Sequence, residues 1–205
     1  MLGGGKFALS IGLGLVSTLF VLDVSTFAGV QSAATPERYS TYHNALYGFS
    51  IQYPAAWKRD PTGTGVFGIT LYSPSNVKGF NNGLSGQGDP YLKAKDIVFD
   101  AFGAANADLG ASVSENFKQM VADFQTHIAP LHKHDVYYRW GVRGNYIWVN
   151  DISRIGHNAL DHHEFYFSLM TVQEFDLYYP ANQAAKYEPM FKHIATSFTP
   201  GNSPG

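Results

Sequence analysis

The chain has 205 residues, of which 45% are hydrophobic, 15% aromatic and 15% charged, with a formal net charge of −2. That length supports one proper core and one domain, or at most two, and the apolar content excludes a disordered chain. With neither sign of charge in excess, no phosphate-backbone partner is indicated, and with no cysteine there are no disulfides, thiolate ligands or catalytic thiols.

Met1 to Lys6 carries a single positive charge, and Phe7 to Leu22 runs without a charged residue until Asp23. The run is short for a bilayer span, which needs about 20 residues, and suits the apolar region of a signal peptide. Ser32-Ala33-Ala34 offers small residues before a cut. The expected organisation is a signal peptide over 1–34, one domain over 35–199 and a flexible Pro/Gly/Ser tail over 200–205. The alternative for the leader is a retained anchor, since Val24–Val30 prolongs the apolar stretch.

Thr35 to His43 reads as a polar lead-in. Phe49 to Tyr53 alternates apolar and polar residues, the period of a half-buried strand, and Pro54 stops it. Val66–Tyr72 and Ile97–Phe102 are further strands, separated by a long glycine-bearing loop over Asn76–Pro90. Ser112-Val113-Ser114-Glu115 matches a capping box. With it Val113, Phe117, Met120, Val121, Phe124 and Ile128 recur at helical spacing. Strands are predicted over Val136–Val142, Tyr146–Val149, His163–Leu169 and Glu174–Tyr179. A last helix is written by Tyr187, Met190, Phe191, Ile194 and Phe198, with Pro189 placed in its first turn. Each helix has one apolar face and must lie on a sheet, and the short connections make that sheet largely antiparallel.

Two stretches carry a resemblance. Gly48-Phe49-Ser50-Ile51-Gln52-Tyr53-Pro54, followed by Trp57-Lys58, resembles the first hairpin of PsbP-like domains. Tyr187 to Phe198, with Met190, Phe191, Ile194 and Ser197, is similar to their closing helix. The resemblance implies an α+β fold, an α/β/α sandwich around a largely antiparallel sheet, and an accessory role without catalysis. A cone of the nuclear-transport-factor type is the alternative fold.

Candidate chemistry centres on histidine. His132-Lys133-His134 and Asp161-His162-His163 are two tight clusters. If Lys133 is extended, His132 and His134 share a face, a usable spacing for imidazole ligands. Asp161 could add a carboxylate or orient a ligating ring. His162 and His163, being adjacent on a strand, project to opposite faces, so one of them can join a given site. Imidazole and carboxylate donors suit Zn, Cu or Ni.

Gly83, Gly86 and Gly88 lack the Lys-Ser/Thr ending of a phosphate-binding loop, so that segment reads as a surface loop. Tyr137, Arg139 and Arg143 share one face of their strand and form a candidate aromatic-basic binding surface. The alternative places them as core and rim beneath a helix. Glu174 and Asp176 share a strand face as a carboxylate pair, a spacing that is equally that of a solvated edge. No Gly-x-Ser-x-Gly or Ser-x-x-Lys motif is present, and no catalytic residue is assigned.

The leading expectation is an exported, periplasmic, non-catalytic binding or accessory protein with a protein partner in the envelope. It would have no cofactor, no nucleic acid and no membrane span after cleavage. The alternative is a His-based metal-binding protein or metal-dependent hydrolase.

Overall fold

Successive residues of each long strand point to opposite faces of the central sheet, which gives the sheet two chemically distinct faces. The structure is a computed structural model that describes residues 37–63, 65–74, 77–84, 93–106 and 116–201. These belong to one unit, Glu37–Gly205. The chain forms β1 (Tyr39–His43), β2 (Ser50–Pro54), β3 (Lys58–Arg59), β4 (Gly68–Ser73) and β5 (Ile97–Ala105). Then come α1 (Phe117–Asp123), β6 (Tyr137–Arg143), β7 (Tyr146–Ile155), β8 (Ala159–Phe167), β9 (Thr171–Pro180) and α2 (Ala184–Ser197). β3 to β9 make a seven-stranded sheet of order β3-β4-β5-β9-β8-β7-β6, antiparallel at every pairing. β1 and β2 form a separate antiparallel ribbon.

The first sheet face presents Ile69, Leu71, Phe99, Ala101, Phe175 and Leu177, all buried. Phe49 and Ile51 of β2 pack into the same cluster, as do Tyr187, Met190, Phe191 and Ile194 from one side of α2. At roughly 1.5–3 kcal/mol for each large apolar side chain fully removed from water, this is the main stabilising term. On the other face, at the β6–β8 end, Phe117, Met120, Val121 and Phe124 cover Ile147, Val149, Trp140, Phe165 and Phe167. Helices therefore lie on both faces of an antiparallel sheet, the α/β/α layering of an α+β fold. No helix among the described residues is long and apolar enough to cross a membrane.

Several local expectations are corrected. The lead-in is a strand up to His43: β1 pairs with β2 residue for residue, and the Tyr42 hydroxyl donates to the Gly68 carbonyl at 3.0 Å. Its partly buried residues are tyrosines and hydroxyls, so it carries no apolar alternation. The Ser112–Glu115 capping box lies outside the described residues. The described helix starts at Phe117, where the Asn116 side chain accepts from the Gln119 N–H at 2.9 Å. From Phe124 the helix widens into a π-helical turn, Phe124–Ile128, and then tightens into a 3-10 helix, Ala129–His134. Pro189 sits inside α2, past its first turn.

The expected tail is also anchored further than Pro200. Gly201 is buried: its N–H donates to Gln173 Oε1 at 2.8 Å, and its carbonyl accepts from Gln173 Nε2 at 2.9 Å and from the Tyr146 hydroxyl at 2.5 Å. A Cβ there would lie 1.9 Å from the Tyr47 carbonyl oxygen and 2.4 Å from the Gly48 carbonyl carbon, both backbone atoms with no rotamer to escape into. Gly201→Ala is therefore expected to lose about 1–3 kcal/mol. A thermal melt should show a midpoint lower by roughly 2–4 °C for each kcal/mol; an unchanged midpoint would mean that the carboxyl-terminal clamp does not form.

Candidate metal centre

Strand register assembles the site. On the face opposite α2, Asp100 stands across from Asp176, Asp176 from His163, His163 from Asp151, and Asp151 from Tyr138. A polar row thus crosses β5, β9, β8, β7 and β6. Asp161 and Glu174, two residues from His163 and Asp176 along their strands, project from the same face. The 3-10 helix that feeds β6 brings His132 and Asp135 to the row, with the His132 ring stacked on Tyr138 at 4.5 Å between centroids.

His163 Nε2 lies 3.2 Å from Asp161 Oδ2 and 3.2 Å from Asp176 Oδ2. Its Nδ1 lies 3.7 Å from Asp151 Oδ1. His132 Nδ1 is 2.8 Å from Asp135 Oδ2 and 3.6 Å from Asp151 Oδ2. Asp151 therefore links two trios, His132–Asp135–Asp151 and Asp161–His163–Asp176, each with its ligand atoms close enough to share an ion. Asp151, Asp161 and Asp176 are 4%, 6% and 4% exposed. The Oδ1 atoms of all three are buried without a hydrogen-bond partner.

Among the described residues, no lysine or arginine pairs with Asp151, Asp161 or Asp176; their ion pairs are with histidine. Carboxylates buried side by side resist ionisation. Burial, reinforced by Asp176, Asp151 and Glu174 and opposed by His163, pushes Asp161 up to about 8. Burial and Asp176 push Glu174 up to about 8. Burial, opposed by His163 and His132, raises Asp151 to about 6. Burial and the facing Asp100 hold Asp176 well above the ordinary carboxylate range.

The structure brings together His132, Asp161 and His163 of the predicted ligands, and their two segments meet through Asp151. It separates the others. His132 and His134 do not share a strand face, because they lie in a 3-10 helix, and His134 is exposed. His162 points to the α2 face, where it stacks on Phe191 at 3.6 Å and its Nε2 lies 3.3 Å from Asn150 Oδ1. Burial, then His163, lowers His162 to about 3.

Asp135, Asp151 and Asp176 were not foreseen, and the Glu174–Asp176 pair is no solvated edge, since β9 is the central strand. Asp176 is flanked by Phe175 and Leu177, and that placement of a carboxylate inside a strong strand was the available signal. Tyr137, Arg139 and Arg143 line a cleft on the opposite face, beside α2.

No family model matches the chain, and no curated protein matches it in sequence. Among solved structures, the chain is similar to the solution structure of cyanobacterial PsbP from Synechocystis sp. PCC 6803, with a TM-score of 0.47 and 13% identity over 84% of this chain and 98% of that one. It is also similar to a protein of unknown function, PA94, from Pseudomonas aeruginosa, with a TM-score of 0.37 and 12% identity over 81% of this chain and 99% of that one. A Bacteroides thetaiotaomicron VPI-5482 protein has a TM-score of 0.37 and 12% identity over 82% of this chain and 50% of that one.

The raised carboxyls set a sign for pH dependence. Between the unfolded carboxylate range and their folded values near 8, Asp161 and Glu174 bind more protons folded than unfolded, so stability falls as pH rises. The lowered His162 acts in the opposite sense only below about pH 6.5. Denaturant titrations of the metal-free protein should therefore give a falling unfolding free energy from about pH 6.5 to about pH 9. A flat or rising profile would contradict the buried like-charge row.

Proposed function

We propose that this domain is an exported, non-catalytic accessory protein that binds a divalent transition ion at His163, Asp161 and Asp176. The observation that carries this reading is the pair of 3.2 Å separations from His163 Nε2 to Asp161 Oδ2 and Asp176 Oδ2. Ligand atoms about 2.0–2.2 Å from a tetrahedral zinc lie roughly 3.3–3.6 Å from each other, so these groups need little rearrangement. An ion would also supply the positive charge that the buried carboxylates lack. Asp151, beyond the far side of the ring, would accept the Nδ1 proton and favour the tautomer that leaves Nε2 free to ligate. His132 and Asp135 extend the donor set from the other side of Asp151. Imidazole with carboxylate suits zinc, copper or nickel. The leader over 1–34 supports export to the envelope.

The test is a thermal melt in chelator and with each ion. Zinc at a hundredfold over its dissociation constant stabilises by about 2.7 kcal/mol, a rise of roughly 5–10 °C at this size. Asp176→Asn keeps the shape and removes one of the crowded charges. It should raise the midpoint of the metal-free protein while abolishing the zinc shift, whereas His134→Ala should change neither. Indifference of the wild type to every ion, or a full zinc shift in Asp176→Asn, would overturn the proposal.

A further inference from the structure

We infer that the opposite face of the sheet carries a second, independent site, a cleft that binds a small aromatic monocarboxylate. The cleft is an open groove of about 750 Å³ between β6–β8 and α2, within the roughly 300–1,000 Å³ usual for small-molecule sites. Its walls combine rings and cations: Tyr137, Arg139, Arg143 and Trp148 from the sheet, Phe191 and Lys192 from α2.

The floor is held in place by a chain of polar contacts. Asn150 Nδ2 donates to Glu164 Oε2 at 2.8 Å, and the Tyr166 hydroxyl donates to Glu164 Oε1 at 2.5 Å. Arg143 Nη1 donates to the Tyr166 hydroxyl at 3.4 Å, and its guanidinium lies 4.3 Å from the centre of the Trp148 ring. Both oxygens of the buried Glu164 are thus occupied, and Arg143 is fixed over an aromatic plane.

Register leaves room for a ligand beside that plane. The cleft-facing positions of β6 are Tyr137, Arg139, Gly141 and Arg143, and Gly141 stands opposite Trp148. Between the two arginines the strand therefore bears no side chain, and a Cβ at Gly141 would already come within 3.9 Å of the Trp148 ring. The charges specify the ligand. Arg139, Arg143 and Lys192 have no carboxylate ion-pair partner among the described residues, while Glu164 and Glu188 are the acidic groups lining the cleft. The local excess is one positive charge, in a chain whose formal net charge is −2. A single carboxylate on a flat ring would satisfy both features, its oxygens toward Arg139 and Lys192 and its ring over Gly141 beside Trp148.

The test titrates the purified chain with 2-naphthoate and with 2-naphthamide, following tryptophan fluorescence and calorimetry. Naphthoate should bind saturably, and the uncharged amide about tenfold or more weaker. Arg139→Gln should weaken naphthoate to the level of the amide, and Gly141→Val, which suits a strand but fills the gap, should block both. Asp176→Asn should leave naphthoate binding unchanged, which separates this site from the metal centre. Melts of the variants confirm that they fold. Equal affinity for acid and amide, no saturable binding of naphthoate, or full binding by Gly141→Val would overturn the proposal. So would binding of an extended acidic peptide but not of naphthoate, which would make the open β6 edge a strand-docking surface instead.

Discussion

The constraint on which the structure turns is a row of like charges laid across the middle of its sheet. Asp100 faces Asp176 directly between neighbouring strands, an arrangement that is destabilising on a sheet. Asp161, Glu174 and Asp151 add to it on the same face. His163 stands among these groups, within 3.7 Å of three of the carboxylates, and His132 lies 3.6 Å from Asp151. Burial holds Asp161, Glu174 and Asp176 toward their protonated forms. On the proposed reading a bound cation would replace those protons and give the orphaned oxygens a partner.

The two sheet faces divide the chemistry. The face toward α2 is apolar at β4, β5 and β9, and turns polar toward β6, β7 and β8, where the helix no longer fills the space and the arginine-lined cleft opens. The other face is apolar where α1 covers it and acidic along the central strands. His162 and His163 show the division within two adjacent residues. One is a neutral ring stacked on Phe191; the other is the centre of the acidic row. Strand parity separates them, and a shift of one residue in the register of β8 would exchange their roles.

Much of the fold was legible because apolar periodicity survives in it. Phe49 to Tyr53, Ile97 to Phe102 and Tyr187 to Phe198 announce their elements directly. β1 was hidden, since its tyrosines and hydroxyls pair at a ribbon where no apolar run is needed. The π-helical turn after Asp123 was hidden too, because apolar spacing does not report the hydrogen-bond pattern that widens a helix. The site was half legible. His132, Asp161 and His163 stand out as clustered imidazole and carboxylate donors. Asp176 does not, because an acidic residue between apolar ones reads as solvent-facing until register sets it opposite another acid. Asp135 and Asp151 do not, because only the turn into β6 and the β7–β8 register bring them to the histidines. Tyr137, Arg139 and Arg143 were grouped by parity, but the cleft they line depends on where α2 lies.

The most direct measurement of the central claim is a long-range ¹H–¹⁵N spectrum of the imidazole rings recorded while zinc is added. Ligation by His163 predicts that its Nε2 resonance moves to a metal-bound position and saturates with the ion, with Nδ1 protonated toward Asp151, while His134 and His162 stay where they were. Movement of His134 or His162 with His163 unchanged, or no saturable change in any ring, would contradict it.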